Sequence, residues 1–532
     1  VGAGLAPARE GVNPSPTLEE KEEDALRVTS IGFPTANRPE VLERGVRSYA
    51  ESSRHRRFVV MDDSRDPAVR EEYRRRLAGL RRELGTEIFY AGLEEKRRFV
   101  EALTAEGIPP EVARIALLDP EGIGLTVGAN RNALLLQTVG EGVLSVDDDT
   151  LSRVAPPPEE QAGVAFLSGT SPGTAFLSGR DPGEVWAFAD RAEALGGLPL
   201  QPHDLAGLHE SALGRPLRSW LAGLDPNSPA HLADGDPGFL RRLEEGGRVR
   251  LTTNGWVGDC GWHSPTFYML LTGDSRRRLL SSRYGYRTGT ASKEIVRYVP
   301  RPTVGNGDSF MATLFTGLDN RELLPPFPPV LWGEDLLFGI TLQLCFRDAR
   351  VGHLPSVAAH APLEFRAFWP GEMTRSASGV DHSRMVSALL DGFEPAPGTP
   401  EAELRRLGNW LTGLGRMEPA AFDDLARRSA RARAAAFAAE LERRLETADG
   451  GPAAELWAAD VRRYLDLLRR HAAEPEVAVP LDLLYGRSAD EARRLAQKLL
   501  LHHGLLLAHW PDIVAAARAL KARGRELAEV IS

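Results

Sequence analysis

Cysteine is scarce in this chain of 532 residues. Only Cys260 and Cys345 are present, which excludes a framework of disulfides and indicates a reducing compartment. Positive charge is not in excess either, because 65 lysines and arginines face 74 aspartates and glutamates, for a net charge of −9. A chain without an overall basic field is not expected to bind nucleic acid.

Long apolar runs are also missing. A membrane-spanning helix needs about 18 or more consecutive apolar residues, and the best candidates are interrupted by Glu334 and Asp335 or by His502 and His503. The first residues contain no basic segment followed by an apolar core, which a secretion signal would have. We therefore expect a cytoplasmic protein that is not integral to a membrane.

The chain does contain an alternation of strand-like and helix-like segments. Residues 1–25 mix Gly, Pro and acids without periodicity and predict a flexible arm. A β-rich run (27–33), apolar residues at helical spacing (39–52) and a second apolar run (57–64) predict a βαβ unit with parallel strands. The same patterns predict strands at 86–92 and 142–148 and a helix at 128–139.

This order of elements predicts an α/β fold, with an open, mostly parallel sheet flanked by helices and an all-α C-terminal region. Thr399 followed by Pro400 predicts the start of a helix, and Ser488 with Glu491 predicts a capping box. We divide the chain into the flexible arm (1–25), a first half of the sheet domain (26–150), an insertion (151–300), a second half of the sheet domain (301–394) and a helical C-terminal domain (395–532).

Acid clusters follow two of the predicted strands, Asp62-Asp63 and Asp147-Asp148-Asp149. In open α/β sheets the ligand crevice lies beyond the carboxyl ends of the strands, so we expect an acidic crevice. Mg²⁺ or Mn²⁺ binds carboxylate oxygens, and a diphosphate typically supplies further ligands. The alternative is an acid-rich turn after each strand, which is common for aspartate.

Three segments in order resemble the nucleotide-binding half of family 2 glycosyltransferases of the GT-A fold: VTSIGFPTANRPEVLERGVRSY (28–49), FVVMDDSRD (58–66) and GANRNALLLQTVGEGVLSVDDDT (128–150). Two more, VGNGDSFM (304–311) and WGEDLLFGITLQLCFRDARVGHLPSVAAHAP (332–362), are similar to the acceptor half of that family. The resemblance implies a GT-A type sheet, with 26–150 as the nucleotide-sugar-binding half and 301–394 as the catalytic half.

The resemblance also implies roles for individual residues. The metal would be bound by Asp149 and Asp147 of the DxD motif, with His360 as a further ligand. Asp148 would contact the ribose. The residues that match the remaining nucleotide contacts are Pro34, Thr35 and Arg38 after the first strand, Asp62 or Asp63 for the base, and the pair Arg131 and Asn132. Read without the resemblance, Arg131 is equally a surface arginine, and a lone histidine is usually structural.

The Glu-Asp motif matches the catalytic position of the family. Asp335 corresponds to the catalytic aspartate and Glu334 stands beside it. Adjacent helical residues point about 100° apart, so only one of the two faces the sugar. The alternative is that both acids stabilise the dipole of the helix they begin.

The implied function is metal-dependent transfer of a sugar, in the hexosyltransferase class, from a nucleoside-diphosphate donor to an unknown acceptor. A UDP-sugar is favoured, because a carboxylate at a strand end suits the N–H of uracil. Asp335 as general base implies inversion at the anomeric carbon. The alternatives are a retaining transferase with the same metal site, a sugar-phosphate nucleotidyltransferase and a non-catalytic nucleotide-binding scaffold.

Two regions concern acceptor binding and oligomerisation. Asp149 and Asp335 lie 186 residues apart (335 − 149), so we expect an insertion over the acceptor side, where loops determine specificity. The C-terminal helices either form a homo-oligomer, handle the acceptor or cap the sheet. The acceptor itself, whether glycan, small molecule or peptide, is not identified by any motif.

Overall fold

In a computed structural model of the protein, the described residues are 26–53, 57–158, 160–167, 175–178, 198–224, 229–234, 237–261, 265–291, 293–306, 312–364, 366–369, 371–447 and 450–532. The flexible arm predicted at 1–25 lies outside these ranges, as do 307–311 of the acceptor-half resemblance.

The described strands form one open mixed sheet with helices around it. Its main path runs β15-β3-β2-β1-β4-β13-β10-β14-β12-β6-β9. The strands are β1 Val28–Thr35, β2 Arg57–Asp62, β3 Ile88–Ala91, β4 Gly142–Val146, β5 Thr150–Ala155, β6 Val164–Leu167, β7 Ala175–Ser178, β8 Gln201–Pro202, β9 Ala230–Asp234, β10 Arg248–Asp259, β11 Glu294–Tyr298, β12 Thr303–Gly305, β13 Phe315–Asp319, β14 Ala349–His360 and β15 Glu529–Val530.

Helices precede or follow most of these strands along the chain. They are α1 Pro39–Ser52, α2 Pro67–Leu84, α3 Leu93–Ala105, α4 Pro110–Leu117, α5 Val127–Gln137, α6 Leu205–Glu210, α7 Leu217–Ala222, α8 Pro237–Glu244, α9 Phe267–Leu270, α10 Gly273–Leu279, α11 Arg283–Ala291, α12 Glu334–Cys345, α13 Glu372–Arg375, α14 His382–Leu390, α15 Pro400–Gly415, α16 Pro419–Glu446, α17 Ala454–Ala473 and α18 Ala489–Ala522, with a 3₁₀ turn at Leu481–Leu483.

The N-terminal half matches the sequence-based expectation closely. β1 pairs in parallel with both β2 and β4, and β2 pairs in parallel with β3. Helix α1 occupies the predicted residues, and its apolar positions Val41, Leu42, Val46 and Tyr49 are buried. The α/β class and the open sheet flanked by helices are therefore confirmed. The parallel arrangement ends at β4, whose other neighbour β13 is antiparallel.

The described residues of region 151–300 contribute strands to the sheet itself. This region supplies β10, which pairs antiparallel with β13 on one side and parallel with β14 on the other. β10 is buried along almost its whole length because both of its edges and both of its faces are covered. Only four of its 12 side chains are apolar, those of Val249, Leu251, Trp256 and Val257, so its burial follows from its neighbours in the sheet.

The region after 395 is helical and packs onto the sheet domain. Thr399 caps α15 through the backbone N–H of Ala402, and Ser488 with Glu491 forms the predicted capping box at α18. Helices α15 and α18 approach closely at glycines, since a Cβ on Gly408 would lie 2.6 Å from the carbonyl oxygen of Gly504. The chain then returns to the sheet, where β15 pairs antiparallel with β3.

One large apolar core joins these helices to the sheet. Buried side chains of β2, α5 and α12 share a cluster with Leu407 of α15 and with Trp510 and Ile513 of α18. Trp510 also donates its indole N–H to the carbonyl oxygen of Leu324, at 2.7 Å. Among the described helices, none is long and apolar enough to cross a membrane.

Candidate functional site at the carboxyl ends of the strands

Residues from four distant parts of the sequence meet where β1, β2 and β4 end. The turn Asp147–Asp149 follows β4, Arg38 follows β1, His360 closes β14, and Glu334 opens α12. Parallel strands place their carboxyl ends at one edge of the sheet, which is why residues distant in sequence come together here. The sequence predicted this convergence for all four segments.

Asp148 and Asp149 are buried acids that share one arginine. Arg38 contacts Asp148 Oδ1 with Nη2 at 2.5 Å and Asp149 Oδ2 with Nη1 at 3.0 Å. Thr35 donates its hydroxyl to the other oxygen of Asp148 at 2.6 Å. Arg38 remains about half exposed, at 45%, so its guanidinium lies between the acids and solvent.

Asp149 is also contacted by His360 and Arg366. His360 Nε2 lies 3.0 Å from Asp149 Oδ1, and its Nδ1 lies within hydrogen-bond distance of the backbone oxygen of Asp259. A carbonyl oxygen only accepts, so Nδ1 carries a proton and Nε2 faces the carboxylate. Arg366 donates Nε to Asp259 Oδ2 at 2.9 Å and has Nη2 3.6 Å from Asp149.

Burial and these contacts raise the pKa of Asp148 and His360 and lower that of Asp149. Burial raises the pKa of Asp148 to about 7, and Arg38 only partly offsets it. Burial opposes ionisation of Asp149 as well, but His360 and Arg38 outweigh it and hold its pKa well below the usual range. Burial lowers the pKa of His360, whereas the charge of Asp149 outweighs it and raises the value to about 9. At neutral pH the pair is therefore a carboxylate and an imidazolium.

Arg131 joins the aspartate turn to the Glu-Asp motif. It is almost fully buried and contacts Asp147 Oδ1 at 2.8 Å and Glu334 Oε1 at 3.4 Å. Burial and the neighbouring Asp335 raise the pKa of Glu334 to about 7, and burial also raises that of Asp335. Asp335 itself is half-buried and accepts the backbone N–H of Leu336 at 2.8 Å.

The two acids after β2 have different surroundings. Asp62 accepts hydrogen bonds from the backbone N–H of Ser64 at 2.8 Å and from its hydroxyl at 2.5 Å, and a third from the hydroxyl of Tyr90 at 2.7 Å. Asp63 pairs through Oδ1 with the ammonium of Lys96, while its Oδ2 is buried and has no hydrogen-bond partner among the described residues. The hydrogen bonds of Asp62 therefore stabilise the turn after β2, whereas Asp63 Oδ2 can accept a further hydrogen bond.

Asn132 and Pro34 lie beside the site in structural roles. Asn132 donates to the carbonyl oxygens of Ala116 and Phe327, at 3.2 and 2.9 Å, and accepts the backbone N–H of Phe327 at 2.8 Å. Its amide is thus occupied in joining α5 to two neighbouring segments. Pro34 is buried within β1, opposite Met61.

The donor set at Asp149 and His360 fits a divalent cation in part. A histidine ligand typically donates its other ring N–H to a backbone carbonyl, which is the arrangement of His360 with Asp259. Carboxylate and imidazole together suit Mn²⁺, and Mg²⁺ is usually bound by one or two carboxylates plus phosphate oxygens. Within the described ranges, no group of three or more His, Cys, Asp or Glu side chains is arranged to bind a metal ion.

Three residues of the site escaped the sequence analysis. Arg366 contacts Asp149, Asp259 contacts His360 and Lys96 contacts Asp63, over separations of 217, 101 and 33 residues (366 − 149, 360 − 259 and 96 − 63). Lysine at a helical position offers no periodic signal, and Arg366 follows its strand without any motif. The one usable sign was the position of Asp259 at the end of a strand, which also singled out Asp62 and Asp147.

Neither a protein-family model nor a curated protein matches this chain. The class that the fold and site define is an α/β protein with a cluster of acids and arginines at the carboxyl ends of its strands.

Proposed function

We propose that the protein is a metal-dependent glycosyltransferase of the GT-A type that transfers a sugar from a nucleoside-diphosphate donor, with a UDP-sugar favoured, to an acceptor. The observation that carries this proposal is the meeting of Arg38, Asp149, His360 and Glu334 at one edge of the sheet. Buried carboxylates beside arginines that reach solvent suit a ligand with phosphates at one end. The scarcity of cysteine supports a cytoplasmic location.

The donor would lie across the ends of β1, β2 and β4. Asp63 would accept a hydrogen bond from an N–H of the base with its Oδ2. Asp148 would accept a hydrogen bond from a ribose hydroxyl, which would replace the one that it accepts from Thr35. Arg38 would turn from the aspartates to the diphosphate, a movement that its 45% exposure permits. Bidentate arginine contacts to phosphate are strong and directional.

Asp149 and His360 would hold a Mn²⁺ or Mg²⁺ ion, and Asp147 would contribute if Arg131 released it. When bound, such an ion acts as a Lewis acid for the departing diphosphate. His360 must give up the proton on Nε2 before it can bind a metal. Its pKa of about 9 without metal therefore makes metal affinity rise with pH.

The acceptor proton would pass to Asp335. Glu334 is buried against Arg131, so Asp335 is the member of the pair that is open to a substrate. A general base must lie within hydrogen-bond reach of the proton it takes. A base on the acceptor side implies a single displacement and inversion at the anomeric carbon.

Calorimetric titration of UDP, GDP and a UDP-sugar, with Mn²⁺ and then with chelator, tests the proposal. We expect one nucleotide to bind tightly with Mn²⁺ and to lose most of its affinity with chelator. The Asp149→Asn variant should lose the metal-dependent part, whereas Asp512→Asn, which breaks a surface pair with Arg405, should bind as the unaltered protein does. Absence of nucleotide binding in both conditions would refute the proposal.

Product stereochemistry provides the second test once an acceptor has been found. The anomeric configuration of the first product, followed by NMR, should be opposite to that of the donor. Retention would exclude Asp335 as the base of a single displacement and leave the metal site unaffected.

A further inference from the structure

Lys96 is a lysine without exposed surface. Its side chain is 0% exposed, and lysine is almost never fully buried unless its charge is paired. The ammonium donates to Asp63 Oδ1 and to Asn130 Oδ1. An unpaired buried ammonium would be very costly, and these two acceptors offset that cost.

Asn130 connects Lys96 to the end of β1 by hydrogen bonds. Its Nδ2 donates to the backbone oxygen of Thr35 at 3.0 Å. The backbone N–H of Asp63 donates to the same oxygen at 3.1 Å. Lys96 in α3 therefore fixes the position of Asp63 relative to α5 and β1, the elements that border the crevice.

Asp63 is left with one oxygen to offer. Its Oδ1 is taken by Lys96, and its buried Oδ2 has no hydrogen-bond partner among the described residues. A buried acceptor without a partner costs free energy, which a ligand N–H would recover. A carboxylate oxygen accepts hydrogen bonds and donates none.

We propose that Lys96 is a positioning residue that makes the base pocket selective for rings carrying an N–H at the edge facing Asp63. Uracil has such a donor at N3 and guanine at N1. The corresponding ring nitrogens of cytosine and adenine carry no hydrogen, so their lone pairs would face the carboxylate. This inference rests on the proposed function, because it concerns the donor nucleotide of the same site.

The experiment measures the binding of UDP, GDP, CDP and ADP by calorimetry in the presence of Mn²⁺. The proteins compared are the unaltered chain, Lys96→Met, Asn130→Ala and Lys521→Met. The last is the matched control, because Lys521 also pairs with a carboxylate, Glu141, away from the crevice. Circular dichroism and thermal unfolding identify any variant that fails to fold, and Asn130→Ala, which keeps the buried charge pair, then carries the test.

For the unaltered chain we expect UDP or GDP to bind at least about tenfold more tightly than CDP and ADP, the scale of one hydrogen bond to a charged group. Lys96→Met should weaken the preferred nucleotide about tenfold or more while CDP changes little, so that the preference disappears. Asn130→Ala should reduce the preference in the same direction. Lys521→Met should leave it intact.

Three results would overturn the inference, and a fourth concerns the proposed function instead. Equal binding of all four nucleotides by the unaltered chain excludes recognition of the base by Asp63. An unchanged preference in folded Lys96→Met and Asn130→Ala excludes positioning by Lys96. Equal weakening of every nucleotide in both variants assigns Lys96 a purely structural role. Failure of the unaltered chain to bind any nucleotide refutes the proposed function, and the inference with it.

Discussion

Replacing Asp149 with asparagine tests the electrostatics of the site directly. In the unaltered protein the carboxylate raises the pKa of His360 from 6.5 to about 9, which at about 1.4 kcal/mol per pKa unit amounts to about 3 kcal/mol. An amide carries no charge, so burial, which lowers the pKa of His360, would be opposed only by Asp259. We expect the pKa of His360 to fall well below 9 in Asp149→Asn.

The sign of the effect on stability follows from the direction of this shift. Because the folded protein binds the His360 proton more tightly than the unfolded chain, the contribution is fully present below pH 6.5 and is lost as the pH rises through about 9. The difference in stability between the unaltered protein and Asp149→Asn should therefore be largest near pH 6. This difference should shrink toward pH 9, where only the stabilisation of Asp149 by Arg38 and Arg366 remains.

The assay is an NMR titration of protein with ¹³C-labelled histidine rings, in the presence of chelator. The signal of His360 is identified by its absence in His360→Gln. Asp512→Asn, which breaks a pair on the protein surface, is the control and should leave the titration near pH 9. A His360 that titrates at 6.5 or below in the unaltered protein, or one that does not move in Asp149→Asn, would refute this account of the site.

Three further predictions concern stability and turnover. Gly128→Ala should lower the free energy of unfolding by about 1–3 kcal/mol, because its Cβ would lie 1.7 Å from the carbonyl oxygen of Pro328. The control is Gly413→Ala, whose Cβ would have no atom within 4 Å. Thermal unfolding measures both variants. Asp335→Asn should abolish turnover while calorimetry shows unchanged donor binding, and retained turnover would contradict its role as base. Acid should destabilise the fold between pH 6.5 and about 3, since burial lowers the pKa of five histidines below 6.5 and they must be protonated on unfolding; a thermal midpoint that is flat over this range would contradict it. These histidines are His209, His353, His382, His502 and His503.

The elements of the N-terminal half could be predicted because their signals are local. The apolar spacing of Val41, Leu42, Val46 and Tyr49 identified α1 to the residue. The ends of β2 and β4 were each predicted two residues too long, since the acids that follow them continue the strand pattern without pairing. The position of β10 was missed because its partners in the sheet lie about 65 and 100 residues further along the chain.

Part of the site was predictable because its residues lie close to strand ends. Arg38, Asp148 and Asp149 are of this kind, and they do meet. The sequence could not distinguish Asp62 from Asp63, because the difference depends on Tyr90 of the next strand and on Lys96 of the next helix. The different roles of Asp62 and Asp63 depend on hydrogen bonds between distant segments, and no local sequence pattern encodes such bonds.

The separation between Asp149 and His360 has a consequence for synthesis. The two residues are 211 positions apart, and ribosomes add roughly 5–20 residues per second, so the carboxylate leaves the ribosome about 10–40 s before the imidazole. Arg38 is already present during that interval and can neutralise the aspartates. The nascent first half of the sheet can therefore stabilise its acidic turn with its own arginine, and β14 and Arg366 join later a site whose charges are already partly balanced.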